Sequence, residues 1–223
     1  MVAASFDTVA DQKPGNIRKP LAGTVLLGKF AAADPITTLV APSGQILVPE
    51  DHESCGWISE DGLTFSKSRE MSEVRGWGSG TVLRRDIRSE DNTMQFAALE
   101  DKRLTHELRS SRDLSGAAGE MSADGEWKYD MVARPDVMWW RAVALGKDGS
   151  GAETFYMAKV FHKMMVTDMD DEAWSDGDDP LKFGVTMGAV PDDVLGTLGT
   201  EFIFGPGALA AAVAMGLTVA VGP

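Results

Sequence analysis

The chain has very little cysteine, tyrosine or histidine. Cys55 is the only cysteine, so no intramolecular disulfide and no thiolate metal cluster can form, and a reducing origin fits. With no histidine expected beside it, Cys55 reads as a small structural residue rather than a nucleophile. The three histidines, His52, His106 and His162, stand far apart and make neither an HxH nor an HExxH pattern, which leaves a zinc site unsupported. Basic charge is also scarce: 21 Lys and Arg stand against 34 Asp and Glu, a formal net charge of -13. A surface this negative repels nucleic acid and anionic membranes, because it lacks the positive charge that would displace their bound counterions. The first 20 residues lack an apolar stretch behind a basic start, so no secretory signal is expected.

Signatures of catalysis are missing as well. "GWGSG" (76–80) looks like a phosphate cradle but has no Lys-Ser/Thr after its glycines, and a strand pattern rather than a helix follows it. There is no Gly-x-Ser-x-Gly elbow. "DMDDEAWSDGDDP" (168–180) packs seven acids, yet Ala173 stands where an EF-hand starting at Asp168 needs its glycine. A solvated acidic turn is the expectation there, with an irregular calcium site as the alternative. Paired carboxylates for hydrolysis cannot be selected from sequence, since their separation is spatial.

What is present is β pattern. "GTVLLGKF" (23–30) reads as a strand, and "ITTLVAPSGQILVPE" (36–50) as two extended pieces around a turn. Asp61-Gly62 signals a turn, after which Leu63 and Phe65 alternate with Thr64 and Ser66. "TVLRRDIRSEDNTMQFAALE" (81–100) reads as a strand pair or one bent strand, with charge on both faces of its first part. "EWKYDMVA", "DVMWWRAVAL", "ETFYMAKVFHKMMVTDM" and "DPLKFGVTMGAVP" read as further strands, with "GKDGSG" (146–151) as a hairpin turn. The adjacent Trp139 and Trp140 should face opposite sides of their strand. Only "DKRLTHELR" (101–109) has helical spacing, with Leu104 and Leu108 on one face and Arg103 able to pair with Glu107 on another. Strands in runs, with one short flanking helix, predict a mainly β fold: an antiparallel β-sandwich or barrel.

Residues 1–21 read as an arm broken by Pro14, Gly15 and Pro20, residues 22–205 as one β domain with an extended loop over 66–80, and residues 206–223 as an Ala/Gly-rich tail. The uncharged stretch 203–223 is about long enough to span a bilayer. Its small side chains, Pro206 and the absence of flanking Lys or Arg favour instead a tail lying on a neighbouring subunit, or a flexible end.

Taken in order, these segments resemble the major tail proteins, the tail tube proteins of long-tailed, siphovirus-type bacteriophages. The resemblance is carried by Gly56, Trp57, Ile58, Ser59, Glu60, Asp61 and Gly62, then Arg75, Gly76, Trp77, Gly78, Thr81 and Val82. "FAALEDKRLTHEL" and the later strands follow in the same order, over roughly 20–205. The resemblance implies a structural virion protein with no catalysis and no cofactor, made in the bacterial host cytoplasm. Six copies would form a ring. Stacked rings would form a tube around a tape measure protein, with tail terminator and baseplate or distal tail proteins at its ends, and DNA would pass through without being specifically bound. On this reading Arg69, Glu70, Glu73, Arg75 and Trp77 reach the adjacent ring, while Thr64, Ser66, Asp86, Thr93 and Gln95 face the lumen. Trp77 has a rival reading, that it folds back on its own core. A carbohydrate- or calcium-binding β-sandwich module, a carboxylate hydrolase and the tube of a contractile tail are the alternative functions.

Overall fold

A computed structural model describes residues 5–32, 35–177 and 179–220; the arm's first four residues, Ala33, Asp34, Asp178 and the tail's last three lie outside them. The described residues form eight strands: β1 (Ala22–Lys29), β2 (Glu53–Ser54), β3 (Thr64–Arg75), β4 (Val82–Ala98), β5 (Trp140–Asp148), β6 (Phe155–Met169), β7 (Phe183–Ala189) and β8 (Gly199–Phe204). Three short helices accompany them, α1 (Phe6–Ala10), α2 (Arg103–Ser110) and α3 (Pro206–Ala211). The expected mainly β, antiparallel architecture is observed, as one continuous sheet ordered β2-β1-β5-β6-β7-β4-β3.

The long strand β6 organises the fold. Its residues 155–164 pair β5 on one side. On the other side, 156–161 pair β8 and 164–169 pair β7, so β8 and β7 lie end to end along it. A register shift between Val166 and Asp168 bends the strand there. The sheet closes over on itself: Val25 and Leu27 of β1 share a buried cluster with Met94 and Phe96 of β4, although three strands separate them in sheet order. Phe65 of β3 stacks on Phe161 of β6 with ring centroids 6.1 Å apart. Trp140 is buried in this core and Trp139 lies on the opposite face beneath Lys163, the division expected of adjacent strand residues.

α2 covers one edge of the core with Leu104 and Leu108, each contributing roughly 1.5–3 kcal/mol by burial. Arg103 pairs with the buried Glu107 at i,i+4, and Glu107 also accepts the Leu114 amide at 2.8 Å. That second bond ties the 111–115 turn to the helix.

Several local expectations are corrected. Residues 66–75, expected in a loop, are strand, because every residue of β3 finds a partner on β4. Within 36–50, pairing shrinks to one bridge, Val40 to Ile46, with Pro42 inside the turn it closes and Pro49 just beyond it, neither able to donate to a ladder. "EWKYDMVA" is not a strand. Trp127 and Tyr129 instead pack on His106 of α2, with ring centroids 5.1 and 5.6 Å away. β8 was not anticipated, although Thr200, Phe202, Ile203 and Phe204 between Gly199 and Gly205 carry a strand signal. α1 and α3 add to the single expected helix; neither is long enough to display a helical period.

Candidate assembly surfaces

β3 and β4 pair from Thr64–Gln95 out to Arg75–Val82. β7 supports β4 only over residues 93–98. Beyond Thr93, therefore, residues 67–75 and 82–92 leave the sheet as a two-stranded ribbon. Its eleven β4 residues span roughly 35 Å at the usual rise per residue. Every residue of β3 is exposed. A lone two-stranded hairpin is marginal in water, and this one also presents Met71, Val74, Leu83 and Ile87 to solvent.

Ion pairs run along the ribbon. Arg69 bonds Glu90, which Lys67 also approaches at 3.9 Å. Glu73 lies 3.1 Å from both Arg75 and Arg85, Arg84 lies 2.8 Å from Asp86, and Arg88 lies 3.7 Å from Glu70. The Arg69 hydrogen bond is the main cause that holds the Glu90 carboxyl below its usual range. Exposed pairs of this kind contribute little stability each; their effect is to hold register and to set the charge the ribbon presents. The four charged residues expected at an inter-ring contact thus all lie on the ribbon and are paired within it.

At the tip, the Ser79 amide donates to the Gly76 carbonyl at 3.0 Å, closing a turn with Trp77 and Gly78 at its centre. Gly78 has φ +75, a left-handed value that favours glycine. Trp77 is 108% exposed, so it does not fold back on its own core.

Two register shifts decide which residues share a face. Arg88 and Leu83 have no cross-strand partner, and the shifts fall at Glu70/Met71 and Val74/Arg75. Thr64 lies opposite Gln95 and Ser66 opposite Thr93, and the same face continues through Ser68–Asp91 and Glu70–Ser89 to Ser72–Asp86. All five residues expected at a lumen therefore lie on one face, rich in hydroxyls and pointing away from the core that Met94 enters. Thr186 and Gly188 of β7 extend it beside Gln95 and Thr93.

On the opposite side, an open groove of about 350 Å3 separates the ribbon's root from β8. Phe65, Lys67 and Glu90 line one wall, and Lys159, Phe161 and Glu201 the other. Lys159 bonds Glu201 at 2.7 Å and lies 4.9 Å above the Phe65 ring, so the groove's charges are satisfied within the chain.

The acidic 168–180 segment joins β6 to β7. Arg109 of α2 anchors it through Glu172 at 3.1 Å and the Asp170 carbonyl at 3.4 Å. Trp174 is exposed, and its indole donates to Glu172. Among the described residues no group of three His, Cys, Asp or Glu is placed to hold a metal ion, and no helix is long and apolar enough to cross a membrane.

A buried polar cluster was not foreseen. Arg141, His162 and Asp192 are 3%, 2% and 1% exposed. Arg141 Nη2 lies 3.8 Å from Asp192 and donates to the Ala31 carbonyl, while Asp192 accepts the Val194 and Leu195 amides. His162 meets Thr200 at 3.2 Å, and its Nδ1 has no partner among the described residues. Burial pushes the His162 imidazole below its ordinary pKa. The cluster pins the 190–198 connection, and with it β8, to β5 and β6.

No protein-family model matches the chain. No curated protein matches it. Among solved structures, the chain is similar to one in the "Cryo-EM structure of the anti-feeding prophage (AFP) baseplate, 6-fold symmetrised". That match has 10% identity and a TM-score of 0.41, covering 85% of this chain and 99% of the other.

Proposed function

We propose that this chain is a structural subunit that assembles with copies of itself, and that the assembly is the stacked-ring tube of a phage-type tail. The observation that carries this is the unsupported ribbon 67–75/82–92, with Met71, Val74, Leu83 and Ile87 uncovered and Trp77 fully exposed at its tip. A two-stranded element of that length holds its geometry best against a partner, and exposed tryptophan and arginine are the residues that dominate contact energetics. The ordered motifs from Gly56 to Val82 support the tube in particular.

The hydroxyl-rich face holding Thr64, Ser66, Asp86, Thr93 and Gln95 is the lumen wall. A net charge of -13 suits a channel that lets DNA pass, since each phosphate neutralised would add affinity and drag. β3 and β8 each keep one free edge among the described strands. Pairing such edges between neighbours in a ring removes them as sites of uncontrolled aggregation. The tape measure protein fills the tube until DNA replaces it, and terminator and distal tail proteins close its ends. No step of this function needs catalysis or a cofactor.

Electron microscopy of the concentrated protein, across salt and pH, tests the reading. Rings or hollow tubes are expected. Monodisperse monomers under every condition would overturn it.

A further inference from the structure

The ribbon differs in charge from the rest of the molecule. Between Thr64 and Ala98 it holds six basic residues, Lys67, Arg69, Arg75, Arg84, Arg85 and Arg88, against five acidic ones, a net charge of +1 in a chain of -13. Four of those six, Arg75, Arg84, Arg85 and Arg88, lie in its outer half beside Trp77. The strongest opposite charge is the 168–180 segment, with seven acids and no basic residue. Asp168, Asp171 and Asp176 are exposed there, as is Trp174.

The topology sets these two features at opposite ends. β4 and β6 are both antiparallel to β7, so they run in the same direction. Ala98, at the end of β4, pairs with Phe183, and Met169, at the end of β6, pairs with Val185. The acidic connection therefore lies at the end where β4 finishes. The ribbon's tip lies beyond the other end, where β4 begins. A basic projection at one end and an acidic surface at the other suit head-to-tail contact, and cannot meet within one copy.

We infer that the ribbon of one copy docks, tip first, on the acidic β6–β7 connection of a second copy. This rests on the self-assembly reading and names the surface that receives Trp77. Charge complementarity steers the approach and fixes which end meets which, and the exposed indoles of Trp77 and Trp174 supply apolar area at the centre of the contact. Like charges oppose tip-to-tip and acid-to-acid pairings, so the contact is directional.

Charge exchange tests it. The ribbon variant Arg84→Glu/Arg85→Glu/Arg88→Glu and the loop variant Asp168→Lys/Asp171→Lys/Asp176→Lys should each raise the concentration needed for stacking about tenfold or more. The variant carrying all six changes should recover stacking. Stacking unchanged in either single set, or unrecovered in the combined one, overturns this contact while leaving self-assembly standing. A wild-type protein that never assembles overturns both. Should a charge variant fail to fold, disulfide capture replaces it: protein with Ser79→Cys is mixed with protein with Ser175→Cys under mild oxidation. A mixed dimer band is expected, and Cys55, being buried, gives no background. No such band above that of unmixed controls would equally overturn the contact.

Discussion

Asp86 and Thr93 lie on the same face of β4, although they stand seven positions apart, an odd interval, because Arg88 between them has no cross-strand partner. In an unbroken strand the two would face opposite ways. The inserted residue turns the outer ribbon relative to its root and keeps one polar face continuous from Gln95 to Arg84.

Trp77→Ala should leave the fold intact and remove assembly. The side chain touches solvent alone, and substitutions at such sites usually change stability within about 0.5 kcal/mol. Thermal melting should match wild type, while electron microscopy should find stacked rings gone. Stacks of normal length in this variant would count against Trp77 as an anchor.

Asp192→Ala should destabilise the fold by about 3 kcal/mol, because it removes the carboxylate facing the buried Arg141 guanidinium and strips the 194 and 195 amides of their acceptor. Urea denaturation reads this as a lower midpoint at unchanged slope.

Acid should weaken the same region. Burial lowers the pKa of both His162 and His52 from the ordinary 6.5. The folded chain then binds fewer protons than the unfolded one just below that pH. Stability from these groups is complete above 6.5 and declines as pH falls toward their lower folded values. Denaturation midpoints measured from about pH 7.5 down to about pH 5, across the histidine range, should fall with pH, and His162→Gln should flatten the slope. An unchanged slope in His162→Gln would remove His162 from the effect.

Cys55 should resist thiol reagents. Burial raises its pKa to about 12, so the native chain holds almost no thiolate at neutral pH. Modification by iodoacetamide should be slow in the native protein and fast in urea. Equal rates would mean that the β2 edge opens freely.

Much of the fold was legible in local pattern. β1, β5, β6 and β7 carry apolar, β-branched or aromatic runs bounded by Gly, Pro or Asp, and α2 shows Leu104 and Leu108 one turn apart. Where pattern misled, the partner was missing or unseen. Trp127 and Tyr129 make "EWKYDMVA" look like a strand, yet both rings are taken by His106. The polar 66–75 segment looks like loop, since its strand state depends on pairing with residues 82–93, which local composition does not report.

The sequence by itself determined the antiparallel β class, the acidic balance and the single thiol, because each follows from composition or short-range period. Only the tertiary structure decided that residues 67–75 and 82–92 form a projecting ribbon, that Trp77 stands clear of the core, that Cys55 is buried, and that Arg141, His162 and Asp192 meet. Those outcomes depend on pairing between segments distant in sequence, and on two single-residue register shifts that change which face a side chain takes.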